Sequence, residues 1–271
     1  MKFALVNGQR QEPQPDLSGE CPGCGNPMVA RCGEVRVWHW AHRGRRHCDS
    51  WWENETEWHR EWKGQFPVDW QEIIQHAEDG ERHIADVKTD DGWVIEFQHS
   101  YIKPEERRSR EGFYSKLIWV VDGVRRKTDK ARFQKALDES VAPFPEYALL
   151  RRGRSHGGGL LRDWAGSRAH VFFDFGDKQV LWWLIPNAND IDAYVTRISC
   201  AEFIENHRRT ATQGANDFDS VAEAFTGLVA DYESHRRAQS EKAPRQDFER
   251  DFARMSRRNL QGRNRPRRYR R

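Results

Sequence analysis

The sequence predicts a mixed fold, α+β overall with an α/β centre: a small metal-binding lead-in, a central sheet domain and a smaller α+β unit behind it. Three observations carry this. Short segments rich in β-branched and aromatic residues, at 84–87, 93–98 and 117–121, alternate with stretches of helical period. Four of the five cysteines, Cys21, Cys24, Cys32 and Cys48, crowd into one stretch among histidines, which suits a metal or reduced thiols better than a disulfide framework. The longest apolar runs, such as 117–121, are a handful of residues, far short of the ~20 needed for a membrane span. No membrane partner is expected, and with no secretory leader in residues 1–10 the expected location is the cytoplasm.

The elements follow in order. Residues 2–7 suit a strand, Asn7-Gly8 is a hairpin turn pair, and 9–12 return as its partner. Seven of the twelve tryptophans fall between Trp38 and Trp70. Within that region Trp51, Glu55, Trp58, Trp62 and Phe66 repeat at helical spacing, predicting a helix over 51–66 that Pro67 stops. The three central strands follow, with a helix over 105–114 between the last two. Residues 151–159 carry four glycines and four basic residues and predict a linker or exposed loop. Beyond it, 170–175 and 180–185 predict a hairpin, 194–198 a strand, and 201–208 and 221–237 helices. The expected division is 1–50, hairpin and metal module; 51–150, central domain; 160–240, C-terminal unit of unknown role; 241–271, a flexible basic tail. Residues 256–271 hold eight arginines and no acid, so the formal net charge of +3 is a property of this tail. Such a block adheres to polyanions by phosphate contacts and counterion release, or merely solubilises.

Two constellations carry chemistry. Cys21-x2-Cys24 followed by His39-x2-His42 offers two thiolates on a knuckle and two imidazoles, a set that closes a tetrahedron around structural Zn²⁺; Cys32, His47 and Cys48 are possible substitutes. The second is the segment 82–98. If its turn is the three residues Asp90, Asp91 and Gly92, then Asp86 lies across from Glu96 on one face, β-carbons roughly 5 Å apart, with Gln98 on the same side. A two-residue turn would separate the carboxylates onto opposite faces. A carboxylate pair can hold Mg²⁺ or Mn²⁺ against a phosphodiester, and Glu96 lies in an apolar run, Val94-Ile95-Glu96-Phe97, where a metal would offset the cost of burial. Glu57, on the preceding helix, could reach the same metal or its water, and Lys63 a phosphate. Arg107, Arg110 and Tyr114 share a face of the next helix, positioned either to meet a nucleic-acid backbone or as a basic face anchored by Tyr114. His59, His99 and Ser100 are secondary candidates. Cys200, alone in sequence, suits a buried apolar position.

In order, CPGCG, GEVRVWHWAH, ETEWHREWK, ADV, VIEFQHS and LIWVVDG resemble the competence protein CoiA-like family over about residues 1–125. The resemblance implies an N-terminal zinc-binding region joined to a restriction-endonuclease-like domain of the PD-(D/E)XK superfamily. It implies Glu57 as helix carboxylate, Asp86 and Glu96 as metal ligands, and Gln98 where the superfamily often has lysine. DNA is the implied substrate, in processing incoming DNA for transformation or in defence, with a recombination or defence protein as a possible partner. Glutamine positions water but brings no positive charge to a transition state, so the two expectations are a metal-dependent nuclease or a DNA-binding adaptor that keeps the fold.

Overall fold

The computed structural model describes residues 1–44, 49, 51, 55–77, 80–157, 159–187, 189–208 and 217–262, with 241–262 as helix backbone alone. Met1–Ala224 form one compact unit and Phe225–Arg271 a second. Among the described residues the chain is mixed α+β, with two sheets and six α-helices, and no helix is long and apolar enough to cross a membrane.

The first sheet is antiparallel, ordered β2-β1-β3-β4-β5, with β1 (Ala4–Val6), β2 (Gln9–Gln11), β3 (Ser18–Glu20), β4 (Pro27–Arg31) and β5 (His39–His42). Asn7 and Gly8 both take positive φ, 52° and 78°, the two-residue turn whose twist matches a hairpin. The core is small: Met1, Ala4, Cys21, Met28 and Trp40, with Ile84 of the neighbouring sheet packed against it. Three of the five strands have three residues each, so little apolar area is buried and a metal is a reasonable source of stability.

The second sheet is eight-stranded, ordered β10-β13-β12-β11-β9-β8-β7-β6. Its strands are β6 (Gln71–His76), β7 (Arg82–Lys88), β8 (Val94–Gln98), β9 (Leu117–Asp122), β10 (Arg151–Arg154), β11 (His170–Asp174), β12 (Val180–Ile185) and β13 (Asp192–Ser199). Strands β6, β7 and β8 are antiparallel neighbours, while β8, β9 and β11 run parallel. The crossover from β8 to β9 is α2 (Pro104–Phe113), started by Pro104 at the first helical turn, where a missing N–H costs nothing. Parallel strands buried on both faces read as continuous apolar runs, and β9, LIWVVD, is buried throughout. Helices α3 (Asp129–Asp138) and α4 (Gly159–Trp164) contribute Phe133, Leu160, Leu161 and Trp164 to the core beneath this sheet.

Several expectations need correction. The helix expected over 51–66 is only α1 (Glu57–Lys63). Thr56 starts it with a capping box, His59 N–H donating to Thr56 Oγ1 and Thr56 N–H to His59 Nδ1, and Gly64 ends it; Trp51 lies in a turn before it. The expected linker at 151–159 is instead edge strand β10, a 3₁₀ turn (Ser155–Gly157) and the start of α4. The strands assigned to a separate C-terminal unit continue the central sheet, because β11 adds in parallel to β9 from Val171↔Trp119 to Asp174↔Asp122. The helix α5 (Cys200–Arg208) matches its expected span closely, while α6 (Asp217–Gly262) runs far past the expected 221–237 and through the start of the supposed flexible tail. Residues 263–271, with most of the arginine block, lie outside the described residues, as do His47 and Cys48.

Candidate metal centre and acidic pocket

Cys21 and Cys24 sit at the turn between β3 and β4. Gly25 N–H donates to Cys21 O (2.8 Å) and Cys21 N–H to Asn26 O (2.9 Å), and Gly25 takes φ 71°, a left-handed position that a side chain would resist. His42, at the end of β5, completes the cluster: one ligand atom from each of Cys21, Cys24 and His42 lies within 4.8 Å of the others, and Cys24 Sγ is 3.3 Å from His42 Nε2. Two thiols and an imidazole are a zinc donor set. His39, expected as the fourth ligand, is not in the group; its Nδ1 bonds to Val37 O at 2.9 Å. The cause is strand geometry. His39 and His42 both lie in β5, three residues apart, and side chains an odd number apart on a strand point to opposite faces. Cys32 also lies outside the group.

The acidic pocket is built on the β7–β8 hairpin. Gly92 takes φ 84° and Thr89 N–H donates to Trp93 O (2.9 Å), so the turn has the three residues Asp90, Asp91 and Gly92; Val87↔Ile95 and Lys88↔Val94 then fix a register that sets Asp86 across from Glu96. There the ladder opens. Phe97 N–H donates not to a facing carbonyl but to Asp86 Oδ2 (3.0 Å), and the two strands splay around the carboxylates. Asp86 and Glu96 line one pocket with Asp49, Glu55, Glu72, His59, Lys63 and Arg110.

Helix α1 is aimed at this pocket by its tryptophans. Trp58 and Trp62, one turn apart, each donate an indole N–H to Asp174 Oδ2 (2.9 Å), and Trp62 stacks on Phe97. That lays Lys63 over the carboxylates, with Nζ 2.8 Å from Glu55, 3.3 Å from Glu72 and 3.5 Å from Asp86. Burial alone would discharge Lys63, but the three carboxylates outweigh it and hold its pKa above the ordinary lysine value. Burial likewise pushes Glu55 up, yet Lys63, the amino group of Met1 and Arg60 overcome it and lower the carboxyl to about 2. Glu96 goes the other way. Burial and the charge of Asp86 push its carboxyl well above the usual range, against the pull of Arg110 at 3.2 Å. Its Oε1 is buried with no hydrogen-bond partner among the described residues.

Glu72 is the residue that the sequence hid. It takes φ 50°, unusual for a side chain of its length, and its two oxygens accept N–H bonds from Lys2 (2.6 Å) and Phe3 (3.0 Å). One carboxylate thus joins the first sheet to the pocket.

The other predicted site residues fall differently. Glu57 is exposed on the first turn of α1 and does not line the pocket; Glu55, two residues earlier, takes that place because the capping box turns the chain just before the helix. Gln98 is buried, outside the pocket lining, with Nε2 donating to Ser100 O (3.2 Å). Arg107, Arg110 and Tyr114 form one face as expected, but it points inward. Arg107 donates to the carbonyls of Asp163 and Ala165, Arg110 to Glu96, Glu106 and the Trp51 carbonyl, and all three residues are buried. A basic helix can turn arginines inward here because the sheet and α4 supply a carboxylate and free carbonyls. His59 lines the pocket; His99 stands beside it, ring centroids 5.9 Å apart. Cys200 is buried, as expected, and burial pushes its thiol up to about 11.

A Cys–Cys–His cluster that could hold a metal lies on a small antiparallel sheet, joined to a mixed sheet with a buried carboxylate pocket at a splayed hairpin. Residues 19–50 match the family described as Competence protein CoiA, N-terminal domain, so the chain is CoiA-like where the knuckle lies. No curated protein and no solved structure matches the chain.

Proposed function

We propose that the protein is a metal-dependent deoxyribonuclease with a PD-(D/E)XK-type centre, acting on incoming or foreign DNA. The observation that carries this is the Asp86–Glu96 pair: two carboxylates in one pocket, one of them buried with an oxygen that nothing in the described protein satisfies. Leaving such an atom bare is expensive, and a divalent cation compensates it. Asp86 and Glu96 would hold Mg²⁺ or Mn²⁺, which would supply Lewis acidity to the phosphodiester. Lys63, rather than Gln98, brings the positive charge that a pentacovalent phosphorus requires, since it stands 3.5 Å from Asp86 and stays protonated. The zinc knuckle stabilises the module that Glu72 ties to the pocket, and the arginine-rich end of the chain adds sequence-independent affinity for DNA.

One observation favours the second reading, a DNA-binding adaptor. Lys63 and Arg110 already pair with carboxylates of the pocket, and Arg107 and Arg110 of α2 are buried rather than offered to a backbone. Incubation of end-labelled linear, circular and single-stranded DNA with Mg²⁺, Mn²⁺ or EDTA, beside Asp86→Ala and Glu96→Ala, separates the two. Products that require the metal and vanish in both variants support the nuclease. Retarded DNA with no product in any metal supports the adaptor.

A further inference from the structure

We propose that His99 and Asp122 form a proton-donating dyad beside the pocket, with His99 delivering a proton to the leaving oxygen of the cleaved phosphodiester. The inference rests on the nuclease reading and names a residue for its second half, the departure of the alkoxide.

The two residues come together because their strands are parallel neighbours. His99 follows the last residue of β8 and Asp122 is the last of β9, so both stand at the carboxyl ends of adjacent parallel strands, where open α/β sheets expose their chemistry. His99 Nδ1 is 2.7 Å from Asp122 Oδ2. A carboxylate can only accept, so Nδ1 carries the proton and Nε2 is the nitrogen left to exchange one. Asp122 is held as well: its side chain is 4% exposed and its Oδ1 accepts Val124 N–H at 2.9 Å. The imidazole, by contrast, is 35% exposed, and its neighbours are the rings of Trp58 and of the pocket-lining His59. A fixed buried acid and an oriented, partly exposed imidazole beside the proposed centre are the parts of a general acid.

The step balances without a co-reactant. A water oxygen bonds to phosphorus and its proton passes to solvent. The bond from phosphorus to the leaving oxygen breaks, and that oxygen takes the proton from His99 Nε2. The imidazole then takes a proton from solvent before the next turn, with Asp122 holding the ring in place.

The test compares ordinary DNA with DNA in which sulfur replaces the leaving oxygen, in the 3′- or 5′-bridging position according to the ends that wild type produces. A thiolate departs without protonation. His99→Gln is expected to lose about 10²-fold or more on ordinary DNA and less than about tenfold on the sulfur-bridged substrate, with Asp122→Asn showing the same pattern more weakly. Equal losses on both substrates, or no loss on either, would overturn the dyad while leaving the nuclease reading intact. A wild type that cleaves neither substrate overturns the nuclease reading and this inference with it. Thermal melting of His99→Gln within a few degrees of wild type keeps a folding defect from passing as lost chemistry, and a large drop in melting temperature would instead assign the pair a structural role.

Discussion

At the knuckle, His42 and Asn26 each bond to Cys24 Sγ, close to Cys21, whereas at the pocket the carboxylates of Glu55, Glu72 and Asp86 converge on Lys63, and Glu96 on Arg110. The first arrangement suits a metal such as zinc; the second carries counter-charges of its own. On the function proposed above the two ions would have different jobs: zinc would belong to the fold of a sheet too small to bury much apolar area, and the divalent cation proposed at Asp86 and Glu96 would be a reagent entering an already folded site.

The largest expected effect strikes the knuckle. Cys21→Ser or His42→Ala should lower bound zinc from about one ion per chain to none, with loss of the N-terminal sheet in circular dichroism and hydrogen exchange. Zinc retained in either variant would break the contrast. Next is Lys63→Met, which strands three carboxylates in a buried site and should cost about 3–5 kcal/mol in denaturant unfolding. A variant as stable as wild type would mean that the pocket is not self-neutralised.

A third prediction concerns acid. His170 and His207 are buried, and burial holds both at about 4, well below the ordinary histidine value of 6.5. Their neutral forms are native and the unfolded chain binds protons first. Their contribution is therefore whole above pH 6.5, and falls away as pH drops from 6.5 toward 4, by on the order of 3 kcal/mol for each histidine. Unfolding midpoints across this window check it, with His207→Phe expected to flatten the slope. The smallest effect contrasts near neighbours at the start of α1: Glu57→Ala should leave DNA cleavage within about twofold, while Glu55→Ala, which removes a partner of Lys63, should lower it about tenfold. Equal losses would restore Glu57 to the site.

Which parts were legible in sequence follows from how each is assembled. The turn that sets Asp86 across from Glu96 is local, and Gly92 after two aspartates announces it. The thiol pair of the knuckle is equally local. His39 misled because ligand spacing was counted along the chain, and a strand alternates faces where a helix would not. Glu55 was displaced by a helix drawn too long, although Thr56 with His59 three residues on was a visible start signal. Glu72 had no signal at all: its role depends on a left-handed backbone and on amides about 70 residues away. The joining of β11 to β9 was hidden for the same reason, since parallel pairing across a long connection leaves no mark on the sequence between.

The central claim is that Asp86 and Glu96 hold a divalent cation in a site separate from the zinc. A Mn²⁺ titration of the zinc-loaded protein, followed by electron paramagnetic resonance, tests it directly on wild type, Asp86→Ala and Glu96→Ala, with zinc content measured in each. The account predicts one Mn²⁺ site in wild type, lost in both variants, with zinc unchanged. Mn²⁺ bound equally by all three proteins, or by none, would contradict it.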